Sequence, residues 1–137
     1  MIKAELGKQL MISVKNRPGA LAEITSLVTS SRINMQAICA YEVANNVAIM
    51  MVTDDNNSAR RLLEKKYHVQ EEEVVLLTID NQPGSLQKVT DKIAEAGIDL
   101  TLIYGSAEKS AGHCEIVIIS RNNLDVMMVI KTELERH

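Results

Sequence analysis

An internal repeat limits the folds open to this chain more than any other feature of its sequence. The six residues 16–21, Asn-Arg-Pro-Gly-Ala-Leu, return 65 positions later as Asn-Gln-Pro-Gly-Ser-Leu at 81–86. The same offset aligns apolar residues further along, such as Ile24 with Val89. Because 137 residues suffice for about one domain or two very small ones, each copy is predicted to be a small domain-like unit.

Each copy has the pattern of a ferredoxin-like unit with the element order βαββαβ. A strand-like run ends at the Asn-x-Pro-Gly turn, apolar residues then recur at helical spacing, and two further strand-like runs precede a second helix. The predicted strands are 10–15, 35–43, 47–53 and 68–72 in the first copy and 74–79, 100–106 and 115–120 in the second. The predicted second helices are 58–66 and 124–135. The fold class is therefore α+β, with two tandem units of antiparallel sheet and helices on one face.

The domain boundaries follow from the repeat, with 1–72 as the first module and 73–137 as the second. The second copy ends within or just after its second helix, so it has no residues left for a final strand. Residues 2–6 have no other assignment, and we expect them to supply that missing edge strand. A turn is predicted at 107–112 in the second hairpin.

Three predicted strands are apolar at both odd and even positions, although an open antiparallel sheet commonly alternates apolar and polar residues. These runs are 47–52, 74–77 and 116–119. Strands of this kind are buried on both faces, so we expect the open face to pack on the other repeat or on a second chain. Tolerance of exposed aliphatic residues is the alternative. A homo-oligomer is therefore predicted, with a dimer as the first choice.

Composition excludes several classes of protein. The net charge is −3, and the chain has three Tyr but no Phe or Trp, so neither a basic surface nor an aromatic platform for nucleic acid is predicted. No run of about 18 apolar residues predicts a membrane span, and the N-terminus lacks the apolar stretch of a secretory signal. Two cysteines are too few for a disulfide framework. A cytoplasmic protein is therefore expected, with no nucleic-acid or membrane partner.

The repeated turn has the features of a small-ligand site. The backbone N–H groups that follow Gly19 and Gly84 are free donors at a helix N-terminus, where the helix dipole favours a carboxylate. The side-chain amides of Asn16 and Asn81 can both donate and accept hydrogen bonds, which suits a zwitterion such as an amino acid. The alternative is purely structural, with Pro-Gly making the turn and Asn capping the helix.

Together the two copies resemble the ACT domain. Each has a strand ending in Asn-x-Pro-Gly-x-Leu, then a helix, and then Ile followed by Asn34 or Asp99 before the next strand. The resemblance covers nearly the whole chain. It implies regulatory modules that bind amino acids or similar small ligands at domain interfaces, usually fused to enzymes of amino-acid metabolism. This chain carries no enzyme domain, so the resemblance does not say what it would regulate.

The expected site lies where the turn of one module faces the start of the second strand of a neighbouring module. The candidate ligand-binding residues are Asn16, Arg17, Pro18, Gly19, Ala20, Leu21, Asn34, Met35, Asn81, Gln82, Pro83, Gly84, Ser85, Leu86, Asp99 and Leu100. The predicted function is a non-catalytic regulatory or sensor protein that needs no cofactor. The alternative is a ligand-free structural or interaction module that associates with a partner enzyme.

Neither catalysis nor metal binding is predicted. An acylphosphatase-like enzyme shares the topology and Arg17 fits its first-loop arginine loosely, but the glycine-rich phosphate cradle is missing. No Ser or Cys has a motif that would place it beside a His. The adjacent pair His113 and Cys114 should point to opposite faces of a strand, so it cannot readily hold a metal together. Cys39 and Cys114 are expected to be small buried hydrophobic residues.

Overall fold

The computed structural model describes residues 1–108 and 112–135. In chain order the elements are β1 (Ile2–Lys15), α1 (Ala20–Ser30), β2 (Met35–Val43), β3 (Asn46–Thr53), α2 (Asn56–Glu64), β4 (Val69–Asp80), α3 (Ser85–Glu95), β5 (Leu100–Glu108), β6 (His113–Ser120) and α4 (Asn123–Glu133). The predicted α+β class with two βαββαβ units is confirmed. The predicted turn at 107–112 lies partly outside the described residues. None of the helices in the described ranges is long and apolar enough to cross a membrane.

The chain forms two compact units. The first-repeat unit is Lys8–Glu72, and the second-repeat unit combines Met1–Gly7 with Glu73–His137. The expected boundary at residue 72 assigned the N-terminal residues to the first module, whereas they cluster here with the second repeat.

β1 and β4 are longer than any strand that the sequence pattern predicted. β1 contains both the predicted strand 10–15 and the unassigned residues 2–6, and β4 joins the predicted strands 68–72 and 74–79 without a break. Each of these two strands therefore has one part in each unit.

The first-repeat unit has the strand order β2-β3-β1-β4. β3 is antiparallel to both neighbours, and its Met51 lies opposite Leu10 of β1 and Ile38 of β2. α1 buries Ile24 and Val28, four residues apart, as its helical spacing predicts. The core of this unit consists of buried apolar residues from both helices, three strands and the loop between α1 and β2: Leu10, Ile12, Ile24, Val28, Ile33, Ile49, Met51, Ala59, Leu63 and Val69.

The second-repeat unit has the strand order β5-β6-β4-β1. Its core combines residues of β4, β6, α3 and α4 with one residue of β1: Ala4, Val75, Leu77, Ile79, Val89, Ile93, Ile118, Val126 and Ile130. The N–H of Ala4 also donates a hydrogen bond to the carboxylate of Glu135. The N-terminal strand thus contributes both a buried side chain and backbone hydrogen bonding to this unit.

Both faces of β3 are buried within the chain. Ile49 and Met51 belong to the core and are fully buried, and Met50 and Val52 on the opposite face are only 2% and 4% exposed. The apolar residues at odd and at even positions of β3 are therefore both buried, so tolerance of exposed aliphatic residues does not explain this strand. Their burial does not require a second chain, so the dimer stays a prediction.

Candidate functional site

The first turn links β1 to α1. The N–H of Asn16 donates to the carbonyl oxygen of Asn45 at 2.8 Å, and the N–H of Ala20 donates to the carbonyl oxygen of Arg17 at 3.1 Å. Gly19 has φ 84° and ψ −2°, in the left-handed region that favours glycine, and the helix begins at the next residue. No side chain caps this helix N-terminus among the described residues. A Cβ added at Gly19 would have no atom within 4 Å, so the turn borders open space.

The second turn links β4 to α3 with the same backbone. The N–H of Asn81 donates to the carbonyl oxygen of Gly112 at 2.9 Å, and the N–H of Ser85 donates to that of Gln82 at 3.1 Å. Gly84 has φ 87° and ψ −10°, and a Cβ there would also have no atom within 4 Å. In the part of the chain that the structure describes, this helix likewise has no side-chain cap.

Each turn presents its predicted residues on one surface. Residues 16–19 and 81–84 are exposed, and the second helical residue of each copy is an exposed leucine, with Leu21 40% and Leu86 38% exposed. Ala20 is buried and Ser85 is half-buried. Each surface therefore combines helix-end N–H groups with one apolar side chain.

Carboxylates of the same unit already bind the polar side chains of the first turn. The amide of Asn16 donates a hydrogen bond to the carboxylate of Glu42 on β2, and Arg17 donates to that of Glu23 on α1 at 2.7 Å. Sequence reasoning did not find either acid. Glu42 is 26 positions from Asn16 and becomes its neighbour only because the β2–β3 hairpin ends beside the turn.

Glu23 is the centre of a small charged cluster. Its carboxylate accepts hydrogen bonds from the ammonium of Lys66, the hydroxyl of Tyr67 and the guanidinium of Arg17. Because these donors favour the charged form, with Lys66 contributing most, the pKa of Glu23 falls from 4.5 to about 2. Burial, together with the bond to Glu23, raises the pKa of the Tyr67 hydroxyl. A carboxylate thus stays ionised in the first turn of α1.

Within the described residues no carboxylate binds the side chains of the second turn. Asp80, the residue before this turn, instead pairs with the N-terminal ammonium of Met1 at 2.5 Å. The first turn of α3 contains no acidic residue, and Lys88 lies at the helical position that Glu23 occupies in α1. The side chains of Asn81 and Gln82 have no hydrogen-bond partner within residues 1–108 and 112–135. The first turn of α3 thus carries a basic residue where that of α1 carries an ionised acid.

The predicted strand-start residues lie far from the turn of their own unit. Lys15, next to the first turn, pairs with Asn46 at one end of β3, whereas Met35 pairs with Thr53 at the other end. Seven residues of β-strand separate these ends by about 23 Å. In the second-repeat unit Leu100 likewise pairs with Ser120, at the opposite end of β6 from the turn.

Asp54 holds the backbone of Asn34 at this far end. The N–H of Asn34 donates to the Asp54 carboxylate at 3.0 Å, and the N–H of Asp54 donates back to the carbonyl oxygen of Asn34 at 3.0 Å. A site that contains both a turn and a strand start thus needs a second module, as the sequence analysis expected. The assignment of these residues to a ligand stays a prediction.

A repeated asparagine network was missed by the sequence analysis. The side-chain oxygen of Asn56 accepts from the N–H and hydroxyl of Thr53 at 3.0 and 2.7 Å, and its amide donates to the carbonyl oxygen of Lys8 at 2.9 Å. Asn123 repeats the arrangement with Ser120, at 2.8 and 3.3 Å, and with the carbonyl oxygen of Glu73 at 2.9 Å. The repeated Thr/Ser-x-x-Asn pattern at 53–56 and 120–123 was the available signal.

Within the described ranges, no three His, Cys, Asp or Glu side chains are close enough to hold a metal ion. Both cysteines are free and only partly buried, which corrects the expectation that they are buried. What each turn offers instead is an uncapped helix end bordered by open space.

Two ferredoxin-like units whose Pro-Gly turns lead into exposed helix N-termini define a regulatory ACT-type module. The chain belongs to the ACT domain pair family, whose model matches residues 6–134. The resemblance seen in the repeated motif is therefore confirmed.

Solved structures share this fold over nearly the whole chain. Protein BT0572 from Bacteroides thetaiotaomicron is 27% identical with a TM-score of 0.87, covering 95% of this chain and 90% of that one. The ligand-free regulatory subunit of aspartate kinase from Thermus thermophilus is 13% identical with a TM-score of 0.66, covering 95% and 97% of the two chains. Aspartokinase III of E. coli, in complex with lysine and aspartate, is 15% identical with a TM-score of 0.56, covering 97% of this chain and 32% of that one. No curated protein sequence matches the chain.

Proposed function

We propose that this chain is a non-catalytic regulatory or sensor protein of the cytoplasm that binds an amino acid or a similar small ligand. The observation that carries the proposal is the repeated turn, in which a left-handed glycine leads into an uncapped helix beside open space. Helix-end N–H groups and the helix dipole favour a ligand carboxylate there. The compact units Lys8–Glu72 and Met1–Gly7 with Glu73–His137 would be the two sensor modules.

The second turn is the better candidate for the ligand carboxylate. In the first turn Glu42 already accepts from Asn16, and the carboxylate of Glu23 already occupies Arg17 and Lys66. In the second turn Asn81 is exposed, and Lys88 adds a positive charge one helical turn from Gly84. A ligand carboxylate at Gly84 would gain hydrogen bonds without displacing a carboxylate of the protein.

The ligand ammonium would need oxygen acceptors from a neighbouring module. Asn34 and Asp99 precede the second strands and carry such oxygens, but each lies far from the turn of its own unit. A homo-oligomer, with a dimer as the first choice, would bring a turn and a strand start together. This arrangement is part of the proposal.

Calorimetric titration of the purified chain with each of the twenty amino acids tests the proposal. A thermal-shift screen gives the first ranking, since a ligand specific to the folded state raises the melting temperature by mass action. We expect one chemical class of amino acid to bind with a micromolar Kd, and light scattering of the bound protein to show more than one chain per particle. No binding by any amino acid would contradict the sensor function.

The alternative function is a ligand-free interaction module, and α4 is the observation that favours it. Leu124 and Met128, one helical turn apart, are 54% and 49% exposed. The offset of 67 that relates Asn123 to Asn56 places Asn57 and Arg61 at the equivalent positions of α2. Replacing both with the α2 residues, as Leu124→Asn and Met128→Arg, should leave amino-acid binding intact if the sensor function is correct. If the chain binds no amino acid and this variant loses association with a partner protein, the alternative is correct.

A further inference from the structure

A groove of about 220 Å³ lies on the sheet of the first-repeat unit, on the face away from α1 and α2. Two methionines and a histidine line it: Met11 of β1, Met50 of β3, and His68 just before β4. Ile12 and Ile49, the neighbours of Met11 and Met50 on the same strands, also border the groove, although both belong to the core of this unit. The described lining includes no residue of the two turns, so the groove is separate from them.

The two thioethers face each other across the sheet. Met11 and Met50 are direct partners in the antiparallel register of β1 and β3, and direct partners lie on the same face of a sheet. Cβ atoms of such partners are about 5 Å apart, so the flexible methionine side chains can bring their sulfur atoms to one point above the strands. Met50 is 2% exposed, which shields this point from water.

The donor set selects a particular class of ligand. Thioether sulfur is a soft, uncharged donor, and imidazole nitrogen is a common partner to it in copper sites. The described lining of the groove contains no carboxylate that would attract magnesium, calcium or manganese. Two thioethers and one imidazole therefore match a soft monovalent cation, and Cu(I) in particular.

The second repeat shows that packing does not require these sulfur atoms. Leu76 and Val117 form the equivalent direct pair of β4 and β6, and Val117 is 1% exposed. The same position in the fold is thus filled by aliphatic residues. At this paired position sulfur occurs in the first repeat alone, where His68 also lines the groove.

We propose that Met11, Met50 and His68 form a Cu(I) site in the first-repeat unit, with the two thioether sulfurs and one imidazole nitrogen as ligands. This site is independent of amino-acid binding at the turns, so either proposal can fail without the other.

Anaerobic titration with Cu(I), in competition with the chromophoric chelator bicinchoninate, tests the site. The protein carries Cys39→Ser and Cys114→Ser, because free thiols bind Cu(I) by themselves. We expect one Cu(I) per chain. The variant Met11→Leu/Met50→Val introduces the residues of the equivalent pair in the second repeat. It should weaken Cu(I) binding more than about 100-fold, which exceeds the usual effect of replacing a residue that only supports a metal ligand. The matched control Met127→Leu/Met128→Leu removes two sulfur atoms from α4 and should bind as before.

The methionine methyl NMR signals give a second measurement that needs no substitution in the groove. On addition of Cu(I), the signals of Met11 and Met50 should shift, and those of Met35, Met51 and Met127 should not. His68→Ala should weaken binding by about tenfold and leave the stoichiometry unchanged. Equal Cu(I) affinity of the groove variant and the α4 control, or methyl signals that stay in place, would show that the two methionines only pack.

Discussion

In both turns a glycine with positive φ leads into a helix, but the fourth helical residue is Glu23 in one and Lys88 in the other. The backbone hydrogen bond of the turn is also repeated, with the N–H of Ala20 donating to the carbonyl oxygen of Arg17 and the N–H of Ser85 donating to that of Gln82. The side chain at the fourth helical position is an acid in α1 and a base in α3. The geometry of each turn is therefore set by its local sequence, whereas the charges near each helix end come from residues outside the turn.

Unlike the side chains around the two turns, the asparagine networks are the same in both units. Asn56 and Asn123 make matching bonds to Thr53 and Ser120 and to the carbonyl oxygens of two equivalent strand residues. The two repeats therefore keep what orders the fold and differ in what a ligand would contact.

The largest expected effect is a difference in ligand affinity between variants of the two turns. A valine at Gly84 would put its side chain into the open space beside the helix end, so Gly84→Val should weaken binding of the amino acid found in the screen more than about 100-fold. Gly19→Val should change the affinity less than about threefold. Calorimetric titration measures both. Gly97, with φ 71° and no atom near a built Cβ, is the control for backbone strain, and Gly97→Val should still bind. Equal losses at Gly19 and Gly84 would remove the distinction between the turns.

The next effect tests the similarity of the two networks. Asn56→Ala and Asn123→Ala should each lower the free energy of unfolding by about 1–3 kcal/mol, because partly buried donors and acceptors lose their partner. Urea unfolding followed by circular dichroism measures the change. The neighbouring exposed Asn57, replaced by Ala, should alter stability by less than about 0.5 kcal/mol. A large effect of only one network variant would show that the repeats are not equivalent here.

A smaller effect comes from the charge at the second helix end. Lys88→Glu gives α3 the acid that α1 has, and it should weaken ligand binding about three- to fivefold through repulsion of the carboxylate. Lys92→Glu makes the same change of net charge in the last turn of that helix and should have little effect on affinity. Titrations at low ionic strength would show the difference most clearly. Unchanged binding by Lys88→Glu would mean that charge does not decide between the turns.

The smallest effect is the pH dependence that Glu23 gives to the first turn. Its pKa is about 2 in the folded protein, below the ordinary value of 4.5, so its contribution to stability is complete above pH 4.5 and is lost as pH falls towards 2. The melting temperature of the native chain should therefore fall more between pH 5 and pH 3 than that of Glu23→Gln. Glu95→Gln removes a carboxylate with a single exposed partner, Lys92, and should behave like the native chain. Parallel melting curves for the native chain and Glu23→Gln would contradict the role of the cluster.

Much of the fold could be predicted from sequence because its signals are local. The Pro-Gly turns, the helical spacing that buries Ile24 and Val28, and the repeat itself all depend on residues within one or two turns of chain. The positions of the two turns were predictable for the same reason, since a left-handed glycine before a helix start needs only neighbouring residues. Their role as ligand sites stays a prediction.

Tertiary structure decided what no local pattern could show. Residues 2–6 were assigned to the missing edge strand only because no other element claimed them. Their place in one unit with Glu73–His137 depends on β1 and β4 being continuous strands. The carboxylate of Glu42 reaches Asn16, and the groove brings His68 beside Met11, through contacts between residues 26 and 57 positions apart. The sequence by itself determined two ferredoxin-like units with a Pro-Gly turn before a helix in each, because backbone geometry is encoded locally. Only the tertiary structure decided which charges surround each turn, because Coulomb interactions act between residues that folding alone brings together.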